Sequence, residues 1–212
     1  MLRRVHTVAY GYFRDAVSEL CVTEKANLTP RDWVIAGLAA LGEGGLDAVR
    51  VERLAKQLGT TKGSFYWHFA DRPALLEAML HLWEREGTAE PVAKAIAIAD
   101  PAERLRQITK GALSVTGRGA SVGRAEAALR AWAAQNPEVG QRFARIESER
   151  IAALSGALAA LGYEAAEAGR LAKALYLTLI GLYSVRPYAP ELAEDQALLD
   201  LVERVIAGAP GR

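Results

Sequence analysis

Wherever the apolar residues of this chain recur with a period, the period is helical, which restricts the fold to helix packed on helix. Beyond Pro101 the pattern predicts helices at about 101–115, 121–135, 137–161, 164–186 and 194–207, with no strand alternation. The breaks between them are short: Gly117-Arg118-Gly119, Asn136-Pro137, Gly162-Tyr163 and Pro187-Tyr188-Ala189-Pro190. Short breaks suit a compact helical domain, and no internal repeat suggests a solenoid.

The first hundred residues read differently. Residues 1–28 mix Tyr10, Tyr12 and Phe13 with charges and form an N-terminal extension. Thr29-Pro30-Arg31-Asp32 then supplies an N-cap, a proline at the first helical position and a carboxylate at the third. Val34, Leu38 and Leu41 give that helix an apolar face, and Gly42 to Gly45 ends it. Val51, Leu54, Ala55 and Leu58 make a short amphipathic helix from about Arg50 to Leu58, which Gly59 stops. Thr61 is placed to cap a third helix, Lys62 to Phe69, with Phe65 and Phe69 inward. Two short helices joined by a glycine-containing turn make a helix-turn-helix. A long helix begins near Arg72 and runs to about Ala95, burying Leu75, Leu76, Met79, Leu82 and Trp83. The chain therefore divides into 1–28, a helix-turn-helix unit at 29–72 and a larger helical unit at 73–212.

Composition narrows the function classes. With 51% hydrophobic and 24% charged residues, an ordered globular chain is expected. The longest apolar run, Ala174 to Val185, is bounded by Lys173 and Arg186 and falls short of the roughly 20 residues of a membrane span. No secretory signal is visible, so a cytoplasmic protein without a membrane partner is expected. The single cysteine, Cys21, and three scattered histidines, His6, His68 and His81, offer no metal-ligand spacing, and no cofactor is implied. The net charge of +1 is unevenly placed. From Arg50 to Arg72 five basic residues face two acidic ones, a local +3, which leaves the rest of the chain at −2.

With Phe65 and Phe69 inward, Gly63 and Trp67 point away from the core, flanked by Ser64 and Tyr66. An outward tryptophan is costly unless it packs on something, and a ribose-phosphate wall offers both apolar sugar and an acceptor for the indole N–H. On that reading Lys62, Tyr66, His68 and Thr61 reach phosphates, Gly63 permits close approach, and Ser64 and Thr60 touch bases. The competing reading makes Tyr66, Trp67 and His68 an aromatic plug against the following long helix.

The run from Leu58 to Leu76, LGTTKGSFYWHFADRPALL, closely resembles the signature of the TetR (tetracycline repressor) family. The likeness extends back through Leu54-Ala55, Gly45-Leu46-Asp47-Ala48-Val49, Leu41 and Gly37, about 45 residues in all. The resemblance implies a ligand-responsive repressor that binds a pseudo-palindromic double-stranded DNA operator as a homodimer and is released by a small effector. It places phosphate or base contact on Thr60, Thr61, Lys62, Gly63, Ser64, Tyr66, Trp67, His68 and Arg72. At the position opening the second helix, often a capping Thr or Ser in that family, this chain has Arg50, which loses a cap and offers a charge to a phosphate instead.

A single recognition helix reads only a few base pairs, so specificity implies two copies. Leu171, Leu175, Thr178 and Leu182 form one stripe, and Leu198, Leu201, Val202 and Val205 another. Either they form the dimer interface, as the resemblance implies for the last two helices, or they complete the monomer core. Trp83, Leu113, Leu129, Trp132, Phe143, Tyr176, Leu179 and Tyr183 are the candidates for an apolar effector pocket, the alternative being ordinary core. The effector itself is unknown.

An enzyme is the rival from another class, and a helical interaction module without DNA binding is a third. Gly117 to Gly123 superficially suggests a phosphate loop but lacks the Gly-Lys-Ser/Thr ending and a preceding strand. His81 stands one helical turn from both Glu77 and Arg85, which reads either as acid–base chemistry or a metal site or, more commonly, as a polar rim beside Trp83, and no nucleophile constellation can be nominated. Arg142, Arg145, Glu147, Glu149 and Arg150 read as a solvated helix face.

Overall fold

A computed structural model describes residues 28–117 and 120–211, the side chains of 114–123 excepted, so the expected N-terminal extension, Leu28 aside, and the Arg118-Gly119 connector lie outside the described residues. Among the described residues all regular structure is helical: α1 (Pro30–Gly44), α2 (Val51–Gln57), α3 (Lys62–Tyr66), α4 (Arg72–Glu84), α5 (Glu90–Ile96), α6 (Pro101–Gly117), α7 (Ala120–Gln135), α8 (Pro137–Ala160), α9 (Ala165–Val185) and α10 (Asp195–Ala207). Single 3₁₀ turns at Leu46–Ala48 and Pro190–Leu192 and a π turn at Arg85–Ala89 complete it.

Local chemistry sets most of the helix starts. The Asp32 carboxylate accepts from the backbone N–H and the hydroxyl of Thr29, both at 2.7 Å, which closes the first turn of α1. Thr61 Oγ1 accepts from Ser64 N–H at 3.4 Å, and Asp71 Oδ1 from Ala74 N–H at 2.8 Å. Asn136 Oδ1 takes the N–H groups of Glu138 and Val139, each at 3.1 Å, and separates α7 from α8.

The helix expected to run from Arg72 to Ala95 is interrupted. A wide π turn at Arg85–Ala89 separates α4 from α5. Pro91 has no N–H to offer the carbonyl of Gly87 four residues back, so a regular helix there would leave that acceptor unpaired. Arg150 of α8 supplies the donor, with Nη2 3.1 Å from Gly87 O.

Two apolar cores follow. The first joins α1 to α4 with the C-terminal half of α7 and the start of α8, through Leu129, Val139, Phe143 and Ile146. It therefore runs across the boundary expected at residue 72. Helix α1 is buried nearly all round, with Trp33, Val34, Ile35, Ala36, Leu38, Ala40 and Leu41 all inside, because α4 covers one side and α7 the other. The second core joins α6, the later part of α8, α9 and α10. Between the cores α8 carries charge. Arg142 and Arg150, expected on a solvated face, are mostly buried because they pair with carboxylates of other helices: Arg142 with Glu77 and Glu84 of α4, Arg150 with Glu126 of α7.

The stripes expected at a dimer face are corrected in phase. Leu175, Leu182, Leu198 and Val202 lie in the second core of their own chain, and Leu171 and Val205 pack partly against it. The outward apolar side chains of these helices are Leu177, 66% exposed, and Leu201, 37% exposed, with Thr178 beside Leu177. The packing of α9 and α10 on α6 and α8 decides which side is spent on the monomer.

Candidate nucleic-acid interface

Phe65, with no exposed surface, anchors α3. Its ring meets Trp33 of α1 edge-on, centroids 5.2 Å apart at 73°, and stacks on Phe69 at 5.5 Å. Gly59, at φ 64°, makes the turn between α2 and α3 in a conformation that a side chain disfavours. With that face fixed inward, a five-residue helix has only one way to aim the rest. Trp67 is 88% exposed and Tyr66 54%, the largest apolar exposure on this side of the molecule. An aromatic plug against α4 would have buried Trp67.

Around α3 the nominated side chains form one surface. Thr61, Lys62 and Gly63 are exposed, and Thr60, Ser64 and His68 half-buried beside them. Lys62 Nζ lies 2.5 Å from Glu52 Oε1 on α2, an exposed pair that holds the Glu52 carboxyl below its usual range and raises the Lys62 ammonium. A phosphate approaching Lys62 exchanges one anion for another. Arg53 pairs with Glu43 at 2.8 Å, an acid that a count beginning at Arg50 leaves out. Arg50 is exposed at the start of α2, makes no side-chain cap there, and donates from Nε to Asp47 O at 2.8 Å. Lys56, also exposed, is a cation on the same short helix that periodicity alone did not single out.

Arg72 stands apart. Its Nε donates to Val49 O at 2.7 Å and its Nη2 to Leu46 O at 2.6 Å, so the guanidinium clamps the start of α4 to the turn before α2. The resemblance implied a phosphate or base contact for Arg72; the two carbonyls that hold it lie more than twenty residues upstream. The effector candidates likewise divide. Trp83, Leu129, Trp132 and Phe143 belong to the first core, and Leu113, Tyr176 and Leu179 to the second. Tyr183 is buried and donates to Ala112 O at 2.6 Å. Among the described residues no His, Cys, Asp and Glu group could hold a metal, and no helix is long and apolar enough to cross a membrane.

Two short helices at a glycine turn, the second core-anchored and followed by outward aromatics beside cations, form a helix-turn-helix, an arrangement able to present side chains to nucleic acid. Residues 35–79 match the family described as bacterial regulatory proteins, tetR family. The chain is 34% identical over 68 residues to the class A tetracycline repressor protein of transposon 1721 from Escherichia coli, a span of 32% of each protein. It is 38% identical over 53 residues to the class G tetracycline repressor protein of Vibrio anguillarum, 25% of each. These matches thus cover a third or less of either repressor. The fold likeness is longer. A transcriptional regulator from Rhodococcus superposes with a TM-score of 0.69 at 21% identity, over 86% of this chain and 96% of that one. FadR from Bacillus subtilis, in complex with stearoyl-CoA, does so at 0.61 and 17%, over 85% and 97%. The segment 35–79 thus carries the tetR-family match, and the fold of the longer chain is like that of these regulators.

Proposed function

We propose that the chain is a one-component repressor that reads a pseudo-palindromic operator as a homodimer, through α3 in the major groove, and releases it on binding a small effector. The observation that carries this is Trp67, 88% exposed at the C-cap of a helix whose inner face is locked by Phe65. Tyr66, Trp67, Lys62 and Thr61 take the phosphate-sugar wall, Thr60, Ser64 and Gly63 approach the bases, and Arg50 and His68 flank them. Arg72 acts by holding α4 against the turn before α2. Pairing through α9 and α10 is supported by the outward Leu177 and Leu201. A fold relative that holds stearoyl-CoA supports an effector bound in the helical body.

A gel shift on the DNA immediately upstream of the protein's own gene tests this, with the parent beside Tyr66→Ala/Trp67→Ala. A discrete band lost in the double variant is expected, each lost contact weakening binding by on the order of 1–3 kcal/mol. Because both side chains are exposed, the melting temperature should hardly change. If the parent shifts neither that DNA at low salt nor any fragment in a genome-wide selection, the DNA-reading role is wrong.

A further inference from the structure

The charged layer between the two cores has no part in reading DNA. Glu126 of α7 is 7% exposed, and its Oε1 accepts from Arg130 Nη2 at 2.8 Å and from Arg150 Nη1 at 2.6 Å. The Arg150 guanidinium also holds the break between α4 and α5, donating from Nε to Thr88 Oγ1 at 2.9 Å and from Nη2 to Gly87 O. It lies 5.3 Å over the Trp83 ring, and Arg130 lies 5.5 Å over Phe143. Trp83 and Phe143 stack at 4.3 Å and 16°, so the contacts close a ring: Arg130, Phe143, Trp83, Arg150, Glu126.

Donors outnumber acceptors in this ring. Arg150 uses all three nitrogens, whereas Arg130 does not. Beyond Glu126 its partners are Glu147 Oε1 and the Tyr176 hydroxyl, each at 3.4 Å, and its Nη1 donates to nothing among the described residues. Trp83 Nε1 is also without an acceptor although the indole is 94% buried, a state that native structures seldom leave unfilled. A Cβ placed on Gly87 would lie 3.4 Å from that nitrogen and 3.7 Å from Arg150 Nη2, so Gly87 packs closely against both groups. The one loosely held acid is Glu147, about a third exposed, whose Oε1 reaches Arg130 and Tyr176 only at 3.4 and 3.3 Å.

We propose that this layer is an effector site for a small-molecule carboxylate, which displaces Glu147 from Arg130 and packs its apolar body beside the Phe143–Trp83 pair. The inference rests on the ligand-responsive reading above. With Glu147 turned out to solvent, an incoming carboxylate restores two guanidiniums against two carboxylates, and a neutral amide does not. Arg130 and Arg150 share one oxygen of Glu126, so drawing Arg130 to a ligand alters the hold of Arg150 on Gly87 and thereby the α4 joint behind the DNA-reading helices.

Calorimetric titration of the full chain without DNA tests the site, using hexanoate, octanoate, benzoate and phenylacetate, each against its primary amide. At least one carboxylate should bind about tenfold more tightly than its amide. Glu147→Gln, which removes the competing anion, should tighten that carboxylate about threefold to tenfold, and Arg130→Gln should weaken it about tenfold or more. Arg130→Lys, which keeps the charge and loses the fork, should fall between and serves if the glutamine variant does not fold. Equal binding of acid and amide, unchanged affinity in both Arg130 variants, or no binding of any of the four acids at millimolar concentration to parent or Glu147→Gln overturns the proposal. Carboxylate binding without an operator shift would fault the DNA-reading role alone, and a shift without carboxylate binding would fault this site alone.

Discussion

Arg142 shows how much one side chain carries in this molecule. Its guanidinium donates to both oxygens of Glu84, at 2.7 and 2.9 Å, and to both oxygens of Glu77, and so ties α8 to the helix that supports the DNA-reading unit. Arg142 and Glu84 are each only 16% exposed, so removing the cation leaves a largely buried carboxylate with Arg145 at 3.6 Å and the exposed His81 as its remaining partners. Arg142→Ala is expected to cost about 2–3 kcal/mol in urea unfolding, more than an exposed pair would. Read along α8 alone, Arg142, Arg145, Glu147, Glu149 and Arg150 form a solvated strip, because their acidic partners are 24 to 65 residues away. Trp67 was legible for the opposite reason: it caps the short helix that Phe65, two residues earlier, anchors, and its own backbone stays helical, so its direction follows from that neighbour.

At the scale of elements, the helix-turn-helix depends on its turn. Gly59 has φ 64° with open space where a Cβ would stand, so Gly59→Ala is opposed by backbone conformation alone. A loss of about 1–2 kcal/mol in denaturant unfolding is expected, and operator affinity should fall as well because α3 is re-aimed relative to α2. A loss of stability with affinity retained would show that the turn does not set the angle of α3. Close packing elsewhere also relies on missing side chains: a Cβ on Gly140 would stand 2.9 Å from Ala133 O across the α7–α8 turn. Helix starts were legible in the sequence because Thr29, Thr61 and Asn136 cap with their own neighbours. The π turn at Arg85–Ala89 was not, since Pro91 only forbids the regular bond and Arg150, from α8, supplies the replacement.

For the molecule as a whole, acid should act through the ion pairs between helices. A hydrogen bond from Arg142 holds the Glu84 carboxyl below the usual range. Burial pushes Glu126 up, but the charges of Arg150 and Arg130 outweigh it and hold that carboxyl low as well. Both folded-state values lie below the unfolded value of about 4.3, so the stability they contribute is present above that pH and lost as pH falls through the folded values. Urea midpoints should change little on this account between about pH 7 and 5 and decline below about 4.3, less steeply in Arg142→Ala, where Glu84 has lost its partner. Assembly is tested at Leu177, which projects from α9: Leu177→Glu should leave the monomer folded, shift sedimentation from dimer to monomer and remove operator binding. An unchanged sedimentation coefficient would place the interface elsewhere. The sequence by itself determined the helical class, most helix starts, and the helix-turn-helix with its outward aromatics, because all of these rest on caps, turns and periodicities only a few residues long; the helix expected to reach Phe69 ends at Tyr66, and the one expected to reach Ala95 breaks after Glu84. Only the tertiary structure decided that Arg72 clamps two carbonyls, that Leu175, Leu182, Leu198 and Val202 are core while Leu177 is surface, and that Arg130 and Arg150 meet over Glu126. Those outcomes depend on which face of each helix its neighbours cover, and helices that pack together can be distant in sequence.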